Sequence, residues 1–194
     1  MNNYCFRFIF FLSACALCLS SCSENQPSEN LPVEDSLPTK STYGGLKFAA
    51  PDEWIQETPS STMRIAQYRL PSDNSQNSEA ELAIFYFQGQ GGSVQTNLDR
   101  WIGQFETQTE DAAQITERHA NNLHLTVLNI SGTYQSSMGP MMAPTVSKPN
   151  YRMLAAVAEG SGGPWFLKLT GPESTVKRWE KSFHQFLGTL QTTQ

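Results

Sequence analysis

Most of this chain has no cysteine. All four, Cys5, Cys15, Cys18 and Cys22, fall within the first 22 of 194 residues. A domain built from the remainder has no disulfide, no thiol nucleophile and no cysteine metal site. Histidine is nearly as scarce. His119, His124 and His184 sit in separate segments and form neither H-x-x-x-H nor H-x-H, so no metal site is expected. Basic residues are few and scattered, with 13 Lys and Arg against 18 Asp and Glu. Neutralising phosphates takes clustered cations, so no nucleic-acid partner is expected. No G-x-S-x-G elbow is present, and no pair of carboxylates stands out among the scattered acids. These absences point to a protein that is not an enzyme and carries no cofactor.

Long apolar runs are also missing. The one from Phe8 to Leu19 is 12 residues, against about 20 for a membrane-spanning helix. With Arg7 before it and small residues after it, residues 1–21 have the order of a secretory signal peptide. Leu19-Ser20-Ser21-Cys22 resembles the bacterial lipobox. The resemblance implies cleavage before Cys22 and acylation of the Cys22 thiol and of the new amino terminus. The protein would then be anchored by lipid on the periplasmic face of the cell envelope, each buried methylene adding about 0.8 kcal/mol. Ser23 in place of aspartate implies the outer rather than the inner membrane, by the sorting rule of enteric bacteria.

Residues 22–42 read as the lipidated cysteine and a tether. Three prolines, four acids and almost no large apolar side chain cannot bury enough surface to fold. At about 5–6 Å × √n such a tether reaches roughly 25 Å.

Residues 43–194 read as one globular domain. Strands are expected at 46–49, 63–70, 81–87, 123–134, 151–158 and 164–171, with a weaker one at 113–119. Leu82, Ile84 and Tyr86 alternate with Ala83, Phe85 and Phe87, which marks a strand covered on both faces. Val94, Leu98, Trp101, Ile102 and Phe105 form one stripe of a helix over 94–107, with Ser93 as its N-cap. Val176, Trp179, Phe183, Phe186, Leu187 and Leu190 form the stripe of a final helix starting near Pro172. Strands in consecutive runs predict an α+β domain with a central, mainly antiparallel sheet of about six strands, flanked by helices on both faces.

The order of elements, the P-x-x-W step at Pro51–Trp54 and the closing FLKLTGPESTV segment resemble the PsbP-like fold. That α/β/α sandwich is shared by photosystem accessory proteins and a Ran-binding nuclear import factor. The MR, GGS-V-x-x-N-x-x-RW and LTGP segments resemble a group of uncharacterised bacterial lipoproteins. The resemblance implies a fold and no particular activity.

Three places could carry function. Gly89, Gly91 and Gly92 lie between a strand and a helix, but the dinucleotide fingerprint fails at Val94 and no P-loop lysine is near. A turn is expected there. A ligand or anion, bound by a small-ligand receptor or an enzyme with a cleft beside residues 89–92, would meet Gly91, Gly92, Asn97 and Arg100. Met138, Met141 and Met142 share the loop 135–150. Their thioethers suit Cu(I) or an adaptable apolar contact with a protein partner. The leading expectation is a lipid-anchored, non-enzymatic binding or accessory module that meets its partner through loops 135–150 and 88–93.

Overall fold

A computed structural model describes residues 40–73, 78–107, 109, 112–137 and 145–193. Cys22, the tether before Lys40, and Met138, Met141 and Met142 lie outside these residues. The elements in chain order are β1 (Lys40–Tyr43), β2 (Leu46–Ala49), β3 (Ile55–Glu57), β4 (Arg64–Leu70), β5 (Ala80–Tyr86), α1 (Val94–Ile102), β6 (Phe105–Glu106), β7 (Ala113–Ala120), β8 (Leu123–Ser137), β9 (Thr145–Glu159), β10 (Trp165–Pro172), α2 (Glu173–Thr189) and β11 (Gln191–Thr192).

The main sheet has eight strands rather than about six. Its order is β3-β4-β5-β10-β9-β8-β6, with β7 also paired to β8. β1, β2 and β11 form a small second sheet. Every pairing among the described residues is antiparallel. β1 begins at Lys40, inside the segment expected to be tether, and pairs along its length with β2. The expected loop 135–150 is largely strand as well, since β8 runs to Ser137 and β9 starts at Thr145.

Period-2 alternation divides the core in two. Leu82 and Ile84 of β5, Leu167 and Leu169 of β10, and Leu154, Ala156 and Ala158 of β9 face one way. There they meet Val176, Trp179, Phe183, Phe186 and Leu187 of α2, all buried. Each such side chain contributes about 1.5–3 kcal/mol. Trp179 also donates from Nε1 to the Pro71 carbonyl at 2.7 Å. The alternate residues Met153, Ala155 and Val157 of β9 and Phe166 of β10 pack with Leu98 and Trp101 of α1.

The expected helical layers on both faces are not formed. Two helices are present among the described residues, and α1 has only nine residues, about 14 Å at 1.5 Å each. It ends at Gly103, whose N–H donates to the Asp99 carbonyl at 2.9 Å. Phe105, expected to close the helical stripe, belongs instead to β6 and is buried there. Among the described residues, no helix covers the remainder of that sheet face.

Candidate functional site

A cleft of about 560 Å³ lies on the open part of the face that α1 only partly covers, within the 300–1,000 Å³ common for ligand sites. Lys168 on β10 is among its lining residues. In WFLKLTG the residues facing α2 are Trp165, Leu167 and Leu169, all buried, while the opposite face runs Phe166, Lys168, Thr170. Polarity changes along one strand just where the helix no longer covers it. Lys168 sits across from Ala83 on β5 and Ala155 on β9, side chains too short to fill the space around it.

Two β-bulges bring further cations to the cleft. Ala66 pairs with Ile84 but Arg64 pairs with Phe85, so Ile65 is an extra residue on β4. Regular alternation from Leu70, Tyr68 and Ala66 would send Arg64 into the α2 core. The bulge turns it to the other face, where its guanidinium carbon lies 5.7 Å from the Phe85 ring centre. On β9, Tyr151 pairs with Gly132 and Lys148 with Tyr134, so Pro149 and Asn150 together oppose Thr133. Asn150 absorbs the irregularity at φ +56°, a conformation asparagine tolerates better than most residues. Lys148 thereby joins the cleft face, 5.4 Å from the Tyr151 ring centre.

Charge in the cleft is unevenly paired. Arg64 meets Glu81 at 2.9 Å, and Glu79 is held from outside by Arg69 at 2.5 Å. Among the described residues neither Lys148 nor Lys168 has a carboxylate partner. Lys168 donates to Gln104 Oε1 at 2.8 Å and to Tyr134 Oη at 3.0 Å. Burial, then the nearby charges of Arg100 and Arg64, pull its pKa down to about 8 against the opposing pull of Glu81. Burial, followed by the charge of Glu81, pushes the Tyr134 hydroxyl up, and burial pushes Tyr151 up. The two rings stack in parallel at 6.0 Å and 9° and form one wall. Thr170 also lines the cleft, and its Oγ1 is buried without a hydrogen-bond partner among the described residues. A second hollow, beside Gly132, carries Glu106 and Glu173 and no cationic side chain.

No family model matches the sequence, and a search of curated proteins finds no match. Among solved structures the chain is similar to PA94 from Pseudomonas aeruginosa, a protein of unknown function described as a putative regulator. That match has 15% identity and a TM-score of 0.46, covering 76% of this chain and 92% of that one. It is also similar to cyanobacterial PsbP (CyanoP) from Synechocystis sp. PCC 6803, at 13% identity and a TM-score of 0.46, over 79% of this chain and 90% of that one.

The glycine loop is built as a turn. Gly89 and Gly92 both take φ +80°, and Gln90 N–H donates to the Phe87 carbonyl at 2.9 Å. Gly91 is glycine for space, because a Cβ there would stand 2.3 Å from Phe166 Cε2. Ser93 caps α1, accepting from Thr96 N–H at 3.2 Å. Asn97, fully buried, donates to the Gly91 and Ser93 carbonyls at 2.9 Å each. Arg100 donates in turn to Asn97 Oδ1. Gly91, Gly92, Asn97 and Arg100 are thus brought together, but none of them lines the cleft. Arg100 reaches it only through its charge on Lys168. The methionines considered for copper lie outside the described residues. Among the described residues, no group of three or more His, Cys, Asp or Glu is placed to hold a metal.

Sequence reading did not single out Lys168, Arg64, Lys148, Tyr134 and Tyr151. One signal was available. Lys168 is the lone charge inside a largely apolar strand, and a lysine drawn out of water there is rare unless it has a task.

Proposed function

We propose that this chain is a lipid-anchored protein of the cell envelope, held by Cys22, whose domain binds a small solute without transforming it. Its frame is read as a variant of the PsbP-like sandwich, supported by the order of its elements. The anchor is supported by the lipobox and by the 12-residue apolar run before it. The binding function rests on one observation, a cleft whose lining lysine is largely withdrawn from water and, among the described residues, lacks a carboxylate partner. A charge kept in such a place at a cost to stability is a mark of a functional site.

Both parts can be tested in the full-length protein. Cys22→Ser should move it from the membrane to the soluble periplasmic fraction; retention in the membrane after signal removal rejects the anchor. Thermal unfolding against a panel of acidic, neutral and basic small solutes tests the cleft. A ligand at 100 times its Kd adds about 2.7 kcal/mol, or roughly 5–10 °C for a domain of this size. The rise should vanish in Lys168→Gln. A panel that shifts neither protein, or shifts both alike, rejects the cleft as the binding site.

A further inference from the structure

The polar groups of the cleft select among small solutes. An ammonium has three N–H bonds; Gln104 and Tyr134 accept two of those on Lys168, which leaves one. Thr170 follows on the same face of β10, two residues and roughly 7 Å along the strand. Its hydroxyl oxygen is buried and without a hydrogen-bond partner among the described residues, and a rotation of χ1 between staggered wells would aim it at the cleft. With that rotation the remaining N–H of Lys168 and the Thr170 hydroxyl would offer one donor to each oxygen of a carboxylate. The lining holds three cations, Arg64, Lys148 and Lys168, and two carboxylates, Glu79 and Glu81. Glu79 is also paired from outside by Arg69, so cations are in excess and the cleft favours an anion, while Glu81 beside Arg64 disfavours a highly charged one.

The apolar lining fixes the rest of the ligand. Tyr134 and Tyr151 present a stacked aromatic wall, and Ala83 and Phe85 add apolar floor beside Lys168. Flat rings prefer such surroundings, through area burial and offset or edge contacts. We infer that the cleft binds an aromatic monocarboxylate, with the acid group on Lys168 and Thr170 and the ring against Tyr134 and Tyr151. This rests on the reading that the cleft is a solute site and names the class of solute. A carboxylate beside Lys168 also gives its ammonium the acidic partner it lacks, so acid and lysine stabilise each other's ionised forms.

The test uses three probes that share one ring system, indole-3-acetate, indole-3-acetamide and tryptamine, with acetate as the acid lacking a ring. Titration calorimetry on the full-length protein in detergent at pH 7 should show indole-3-acetate binding at least tenfold more tightly than each of the others. Lys168→Gln should weaken it tenfold or more, and Thr170→Val about threefold. Because the ammonium is the binding form, affinity should fall about tenfold per pH unit above pH 8. If Lys168→Gln does not fold, as judged by circular dichroism, Lys148→Gln (expected about threefold weaker) and the pH series on the wild type carry the test. Equal binding of the acid, amide and amine overturns the inference, as does a pH-independent affinity. If the acid fails while a neutral or basic solute raises the unfolding temperature in a Lys168-dependent way, the inference falls and the cleft reading stands. If no probe and no panel member acts on the protein, both fall.

Discussion

Lys168→Met should make the protein more stable. Its amine falls from the ordinary 10.5 to about 8 in the fold, mainly through burial. At about 1.4 kcal/mol per pH unit, that is a penalty of about 3 kcal/mol on the folded ammonium at neutral pH. Methionine removes the charge and keeps the length. The lost bonds to Gln104 and Tyr134 take back about 1 kcal/mol each, and both partners can turn to water in the open cleft. The net gain is about 1–2 kcal/mol, or roughly 3–6 °C in midpoint. The pH dependence is the sharper check. Between pH 8 and 10.5 the unfolded chain keeps a proton on this amine that the folded chain has released. Wild-type stability therefore gains from this group as pH rises through that window and loses it as pH falls through 8. The variant has no such slope, so its advantage should shrink by about 2 kcal/mol between pH 7 and 9.5. Tyr134 and Tyr151, both held above their ordinary pKa, are present in both proteins and largely cancel in the difference. Urea unfolding followed by tryptophan fluorescence at pH 7, 8.5 and 9.5 measures it. A variant less stable than wild type by more than about 1 kcal/mol, or a difference that ignores pH, refutes the argument.

Gly91→Ala should cost about 1–3 kcal/mol by overpacking, because its Cβ would stand 2.3 Å from the buried Phe166 ring; Phe166→Leu in the same chain should recover much of that in chemical denaturation. Asn97→Ala removes the donor to the Gly91 and Ser93 carbonyls and should cost about 1–3 kcal/mol, with hydrogen exchange accelerated at residues 88–93 more than elsewhere. Arg152 bridges Glu180 at 2.7 and 2.9 Å and Asn129 at 2.8 Å, so Arg152→Ala should cost about 2–4 kcal/mol. The Arg152 hydrogen bond holds the Glu180 carboxyl below its ordinary 4.5; its stability is present above that value and lost as pH falls through the folded one. Acid unfolding of Arg152→Ala should therefore lose part of the wild-type slope below pH 4.5, and an unchanged slope would remove the assigned pairing.

The legible parts of the fold are those where burial follows a simple period. ELAIFYF alternates two apolar sets: Leu82, Ile84 and Tyr86 join one core cluster, and Phe85 and Phe87 the other, with Ala83 at the cleft. The α2 stripe is legible for the same reason, since Val176, Trp179, Phe183, Phe186 and Leu187 occupy one helical face and are all buried. The end of α1 was not legible. Phe105 continues a helical spacing, yet Gly103 breaks the helix and the tertiary pairing of Phe105 with Tyr134 wins. Strand count was underestimated because β1, β3, β6 and β11 have only two to four residues and show no period of their own.

The candidate site was hidden by a different cause. A strand's parity tells which face a side chain takes only while the register holds. Parity counted back from Leu70 assigns Arg64 to the core, and parity counted back from Tyr151 assigns Lys148 to the far face. Each assignment fails at a bulge, and both failures deliver a cation to the same cleft. The residues that sequence reading did single out are nevertheless connected to it. Gly91 and Ser93 lend their carbonyls to Asn97, and Asn97 lends its oxygen to Arg100. Arg100, so held, is the largest charge contribution lowering the Lys168 amine. The glycine loop is thus linked to the cleft without touching it: the turn fixes a guanidinium, and the charge of that guanidinium helps pull the Lys168 amine down.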